Sequence, residues 1–310
     1  MKILLFGKNG QVGWELQRSL APLGELIALD RQGAGHTGDL SDLDGLRATV
    51  AAYRPDVIVN AAAYTAVDQA EAETDQARLI NAIAPGVLAE EAEKVGAWLV
   101  HYSTDYVFDG SGSRPWQEAD ATQPLNCYGR TKAEGEQRIA EHCSRHLIFR
   151  TSWVYAARGN NFAKTMLRLA SQRESFNVID DQWGAPTGAE LIADVTAHAL
   201  RHACQKPEAA GTYHLAATGF TNWHAYGQHV IETARKATPD AAACVVREIV
   251  PVSTERYTSM VPTPAERPRN SRLDTRKLES TFGLQMPAWQ DGVNRMLAEI
   301  PTTFPTKVPA

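Results

Sequence analysis

Cysteine is scarce in this chain. Cys127, Cys143, Cys204 and Cys244 are the four cysteines in 310 residues, and they form no C-x-x-C pair. That argues against a disulfide framework or a thiolate zinc site. The nine histidines show no H-E-x-x-H or comparable metal spacing. No apolar run approaches the ~18 residues of a membrane span. The opening stretch Met1 to Phe6 meets Gly7 and Lys8 before the ~7–15 apolar residues of a signal peptide are reached, so a cytoplasmic location is expected. Charge is nearly balanced: 31 Lys and Arg against 36 Asp and Glu leave −5, which speaks against general nucleic-acid or anionic-membrane binding. Glycine and proline, 22 and 16 residues, are too few for a low-complexity chain.

What is present is an ordinary globular composition, 44% apolar, with length for one large domain or two intimate ones. Short apolar runs at Ile3–Phe6, Leu26–Leu29, Val57–Ala61, Trp98–Tyr102 and His146–Arg150 read as strands covered on both faces. Helical patterns over Val12–Leu23, Leu43–Tyr53, Asn81–Val95 and Tyr128–His142 separate them. This alternation predicts an α/β fold with a Rossmann-like, doubly wound parallel sheet, whose ligands sit at the carboxyl ends of the strands. The second half reads differently, with helices over Phe162–Gln172, Glu190–Ala203 and Trp223–Lys236 and a strand over Thr212–Ala216. A soft boundary falls near Arg158-Gly159 without a linker. It predicts a nucleotide-binding domain over residues 1–158 and a smaller α/β domain over 159–310, intertwined with the first. Pro301 to Ala310, with three prolines, reads as a loose tail.

Chemistry gathers at the predicted strand ends. Gly7-Lys8-Asn9-Gly10-Gln11-Val12-Gly13 follows the first strand and opens the first helix. Glycines there allow a tight turn and close approach of a pyrophosphate, held by the free N–H groups and dipole of the helix N-terminus. The spacing is G-x-x-G-x-x-G, and by itself it also suits a plain capping turn. Asp30, 17 residues after Gly13, is placed to take the ribose 2′-hydroxyl of NAD, while Arg31 suits the 2′-phosphate of NADP; either cofactor is open. Asp39 and Leu40 could flank the adenine or lie on a surface loop. The small residues of Asn60-Ala61-Ala62-Ala63-Tyr64-Thr65 let a ligand lie against backbone or a helix pack close. Tyr128 and Lys132 stand at i and i+4 on one helix face, where an ammonium lowers a phenol from about 10 towards the working pH. Ser103-Thr104-Asp105 adds hydroxyls at the edge where a cofactor belongs.

The ordered motifs Gly-x-x-Gly-x-x-Gly, Asn60-Ala61-Ala62-Ala63, Ser103-Thr104-Asp105-Tyr106-Val107-Phe108 and Tyr128-Gly129-Arg130-Thr131-Lys132 resemble an extended short-chain dehydrogenase/reductase. The later motifs Phe149-Arg150-Thr151-Ser152-Trp153-Val154-Tyr155, Gly159-Asn160-Asn161-Phe162, Asp181-Gln182-Trp183-Gly184-Ala185-Pro186-Thr187 and Arg267-Pro268 narrow this to the branch that reduces dTDP-linked 4-keto-6-deoxysugars. The resemblance implies hydride transfer from NADPH or NADH to C4 of dTDP-4-dehydro-L-rhamnose. It makes Tyr128 the proton donor, Lys132 the holder of the nicotinamide ribose, and Thr104 a partner of the sugar near the carbonyl. Asp105 and Trp153 become contacts of the deoxysugar nucleotide. Gly10, Gln11, Val12, Asp30, Asp39, Leu40, Ala62, Ala63, Tyr64, Thr65 and Tyr102 become the lining of the cofactor site. Arg267, Arg269 and Arg272 suit a diphosphate by charge and fork geometry, or make a solvated basic loop.

Some relatives bind magnesium through glutamates at a dimer contact. Glu15 and Glu190 match that pattern, but Gln290, beside Asp291, stands where the further glutamate is expected, and losing a hard anionic ligand weakens such a site. A homodimer stays open. Two alternatives share the motifs: a nucleotide-sugar 4,6-dehydratase or 4-epimerase, and a non-catalytic nucleotide-binding subunit such as the regulatory subunit of methionine adenosyltransferase. Tyr106 follows Thr104-Asp105 where a dehydratase carries glutamate.

Overall fold

The computed structural model describes residues 1–32, 36–237 and 244–300; the expected tail over 301–310 lies outside them. Six parallel strands form the central sheet: β1 (Lys2–Phe6), β2 (Glu25–Leu29), β3 (Val57–Asn60), β4 (Trp98–Thr104), β5 (His146–Thr151) and β6 (Gly211–His214), in the order β6-β5-β4-β3-β1-β2. The side on which successive strands are added reverses at β1, which pairs with β2 through Phe6 and Leu29 and with β3 through Phe6 and Asn60. Ligand clefts in doubly wound sheets open at this switch point.

Each strand feeds two cores, because successive side chains point to opposite faces. Ile3 and Leu5, Val57 and Val59, and Leu147 and Phe149 pack with Leu16 and Leu20 of α1 (Gln11–Leu20). Leu4 and Phe6, Ile58, Leu99 and Ile148 pack on the other side with Leu46 and Val50 of α2 (Leu43–Tyr53), Leu88 of α3 (Ala84–Val95) and Ile139 of α4 (Cys127–His142). Burial of one such side chain contributes about 1.5–3 kcal/mol, so the continuous apolar runs read in the sequence are the sheet's main source of stability.

The smaller lobe centres on α5 (Phe162–Gln172), α7 (Trp223–Ala237) and α8 (Trp289–Glu299), with a parallel strand pair Ser175–Ile179 and Glu248–Val252. Met166, Phe176, Tyr226, Val230, Trp289 and Val293 share its core. The chain passes between lobes more than once. Helix α6 (Ala189–Gln205) packs Ile192, Val195 and Leu200 into the core beside α1, and β6 and Leu278 follow it there. No single cut near residue 158 therefore separates the two packing units. Among the described residues, no helix is long and apolar enough to cross a membrane.

Candidate active site

The turn after β1 is built for close approach. Gly7 has φ +85°, a conformation few side chains tolerate, and its N–H donates to Leu29 O at 3.1 Å. Gly10 donates to Gly7 O at 3.0 Å and starts α1. A Cβ on Gly13 would lie 2.0 Å from Gly7 O. Gly13 therefore sits behind the turn rather than on the cleft wall, and its role is to let helix and turn pack.

A cleft of about 870 Å³ opens above the carboxyl ends of the strands. Gly7, Gly10, Gln11, Val12, Ala62, Ala63, Thr65, Tyr102, Thr104, Asp105, Tyr128, Lys132 and Trp153, all singled out in the sequence, line it. An adjoining recess of about 250 Å³ is lined by Asp30, Arg31, Asp39, Leu40 and Tyr64 and shares Gly7, Gly10, Ala62 and Ala63 with the cleft. Asp30 holds Lys8 Nζ at 3.1 Å and accepts from Asn9 at 3.0 Å; its carboxyl is lowered chiefly by the Lys8 hydrogen bond. The glycine turn, the helix N-terminus and the polar recess together fit a dinucleotide laid across both spaces.

Helix α4 carries Tyr128 and Lys132. Asn126 caps it by accepting from Gly129 N–H at 2.8 Å, and Glu71 accepts from Cys127 N–H at 2.6 Å. A π-turn at Leu79–Ile83 presents Asn81, whose amide holds both Tyr64 N–H and Tyr64 O and donates to Thr131 Oγ1 at 3.2 Å. The ring of Tyr128 meets that of Tyr106 edge-on, 5.7 Å between centroids.

The electrostatics differ from the expectation that Lys132 pulls Tyr128 down. Burial pushes the Tyr128 phenol up to about 12; the Thr104 hydroxyl, as a hydrogen-bond partner, opposes this and Asp105 adds to it. Lys132 is 1% exposed and spends its amino group on Tyr102 O, at 2.6 Å, and His101 Nε2, at 3.0 Å. Desolvation dominates at the phenol, and the Lys132 amino group is engaged with Tyr102 and His101 instead. Burial lowers Lys132 itself to about 8, with Glu136 pulling the other way. Asp105, 2% exposed, is raised by burial to about 7. Its Oδ1 accepts from Thr104 Oγ1 at 3.2 Å, while its Oδ2, like Ser103 Oγ and Thr151 Oγ1 on the same cleft, is buried without a hydrogen-bond partner among the described residues.

Trp153 closes one end of the cleft with φ +49° and stacks on Trp223 at 3.6 Å between ring centroids. Sequence reasoning passed over Trp223, which arrives from α7 with no local signal. Ser103 lines the cleft at the strand end where the sequence placed its hydroxyl, and Thr151, polar at the end of buried β5, was findable from that position alone. In the basic loop, Arg267 is clasped by Asp68 at 2.6 and 2.7 Å, Arg269 pairs with Glu255 at the surface, and Arg272 lies over the Trp183 ring at 4.8 Å. Of the expected magnesium pattern, Glu15 and Glu190 lie near enough for Glu15 to add to the upward shift of the Glu190 carboxyl, which burial dominates. Glu15 faces Arg18 at 3.7 Å and Glu190 faces Arg295 at 3.5 Å, and among the described residues no three His, Cys, Asp or Glu side chains are grouped to hold a metal.

Comparison with known proteins agrees with this geometry. The family model for the RmlD substrate binding domain matches residues 1–301. The dTDP-4-dehydrorhamnose reductase of Shigella flexneri is 59% identical over 303 residues, 98% of this chain and 99% of that protein. Among solved structures, the Clostridium acetobutylicum dTDP-4-dehydrorhamnose reductase superposes with a TM-score of 0.85 at 35% identity, covering 96% of this chain and 99% of its own. The Bacillus anthracis dTDP-4-dehydrorhamnose reductase in complex with NADP gives 0.84 at 36% identity, with the same coverage. By its glycine turn, its Tyr128/Lys132 helix and its end-to-end likeness to these proteins, the chain belongs to the dTDP-4-dehydrorhamnose reductase family.

Proposed function

We propose that this protein reduces the C4 keto group of dTDP-4-dehydro-L-rhamnose to give dTDP-L-rhamnose. The observation that carries the reading is the Thr104–Tyr128 pair, which faces the glycine turn across one cleft. The bound nicotinamide, as NADPH or NADH, supplies the hydride. The first turn of α1 and the Gly7–Gly10 backbone hold its diphosphate. Asp30 takes an adenosine ribose hydroxyl, and the neighbouring Lys8 and Arg31 give a 2′-phosphate its counter-charge, so both cofactors can be used.

A phenol raised to about 12 keeps its proton at neutral pH, which is the form a reduction requires. Tyr128 gives that proton to the alkoxide developing at C4, while the Thr104 hydroxyl turns its one proton from Asp105 to the same oxygen and fixes the carbonyl. Trp153, braced by Trp223, offers an aromatic face to the deoxysugar, and Asp105 turns its free oxygen to a sugar hydroxyl. Replacing Tyr128 by Phe should lower kcat by about 10²–10⁴-fold and leave the dissociation constant of the nicotinamide unchanged. An unaltered kcat would refute the assignment. Net consumption of NAD(P)H with the 4-keto sugar nucleotide separates this activity from a dehydratase or epimerase, which recycle their cofactor.

A further inference from the structure

Behind Lys132 lies a buried row of polar groups that the reduction as described does not use. Asn60 and His101 are paired across β3 and β4, so their side chains share a face, and both are 1% exposed. Asn60 Oδ1 accepts from Ala62 N–H at 3.2 Å, and this turns its amide nitrogen to His101 Nδ1, also at 3.2 Å. An amide nitrogen only donates, so Nδ1 must accept and the proton of a neutral ring must sit on Nε2. Nε2 lies 3.0 Å from Lys132 Nζ. An Nε2–H needs a lone pair opposite it, which an amine has and an ammonium lacks. Lys132 meanwhile has to donate to Tyr102 O, which can only accept.

We propose that His101, oriented by Asn60, is a positioning residue that lets Lys132 alternate between amine and ammonium by changing its own tautomer. With Asn60 turned as it is, the ring proton belongs on Nε2 and Lys132 is an amine, the form that prevails above its value of about 8. When the pair gains one proton from the cleft, Lys132 becomes an ammonium and Nε2 must accept. The ring proton then sits on Nδ1, and Asn60 turns its oxygen to it, releasing Ala62 N–H at the cleft wall. The ring is neutral at both ends, and the net change is one proton.

The surroundings support a neutral ring. Burial and the nearby Lys132 hold His101 well below its ordinary 6.5. Lys132 faces Tyr102 from β4 and shares α4 with Tyr128 and Glu136; Glu136 is itself clamped by Arg150 of β5 at 2.6 Å, and Asp105 lies next to Tyr128. This inference rests on the reading of Tyr128 and Lys132 as the proton-handling pair, because a phenol that gives up a proton each turnover must recover one from a neighbour able to exchange it near neutrality.

The test is the ¹⁵N spectrum of histidine-labelled protein between about pH 6 and pH 10, where the nitrogen shifts identify each tautomer. His101 should carry its proton on Nδ1 at the acid end and on Nε2 at the alkaline end, with no imidazolium. One tautomer throughout, or titration to the imidazolium, overturns the proposal. In Asn60→Asp the carboxylate accepts only, which holds the ring proton on Nδ1 and favours the ammonium. The alkaline limb of kcat/KM should then move up by about one pH unit or more, and a folded, active variant with an unmoved limb would count against the proposal. A wild-type protein that switches tautomer but reduces no 4-keto sugar nucleotide refutes the reductase reading alone. An active enzyme with a fixed ring refutes the switch alone.

Discussion

Asp105 offers a quantitative check on the cleft. It follows β4 directly and is 2% exposed, and burial raises its carboxyl from the ordinary 3.8 to about 7 against the pull of Ser271 and Thr104. Below pH 4 the carboxyl is protonated in both the folded and the unfolded chain, and burial then costs little. As pH rises, the unfolded chain releases the proton first, so stability falls until the folded carboxyl ionises near pH 7. At 1.36 kcal/mol per pH unit, the loss complete above pH 7 is about 4 kcal/mol. Asn at this position keeps the shape and cannot ionise. Asp105→Asn should therefore gain about 3 kcal/mol more, relative to wild type, at pH 8 than at pH 5. At about 2 °C per kcal/mol for a chain of this size, the Tm advantage should grow by about 6 °C between the two pH values. Thermal melts or urea titrations of both proteins at both pH values measure this, and KM for the sugar nucleotide should rise in the same variant. An equal difference at pH 5 and pH 8, or one larger at pH 5, refutes the claim that burial dominates the Asp105 carboxyl.

Two further perturbations test other parts of the structure. Gly13→Ala forces a Cβ to within 2.0 Å of Gly7 O, so the turn has to open; nicotinamide fluorescence titration should show affinity weakened by about tenfold or more, equivalent to about 1.4 kcal/mol. Glu136→Ala leaves the guanidinium of Arg150, whose pair with Glu136 has side chains 7% and 8% exposed, buried without its carboxylate. Urea denaturation should show a loss of about 3–5 kcal/mol, whereas a loss under about 1 kcal/mol, typical of exposed pairs, would contradict the burial described.

Much of the fold was legible because its signals are local. Apolar runs such as Ile3–Phe6 and Val57–Asn60 are buried on both faces wherever they go, and the glycine turn, the capped start of α4 and the i, i+4 placement of Tyr128 and Lys132 depend on a few adjacent residues. Some misses were also local: the strand Ser175–Ile179 alternates exposed Ser175 and Asn177 with buried Phe176 and Val178, a period-two pattern. The rest needed three dimensions. The return of Gly211–His214 to the main sheet, the docking of Trp223 behind Trp153 and the capture of Arg267 by Asp68 each join residues distant in the chain. Strand register alone sets Asn60 against His101. Proton affinities belong to the same class: Tyr128 and Asp105 are raised by the atoms that exclude water from them. The order of residues along the chain dictates which chemical groups are available and how they follow the strands. The tertiary structure decided which of them are dry, which are already spoken for, and which face one another, because burial and hydrogen bonding depend on neighbours that periodicity cannot name.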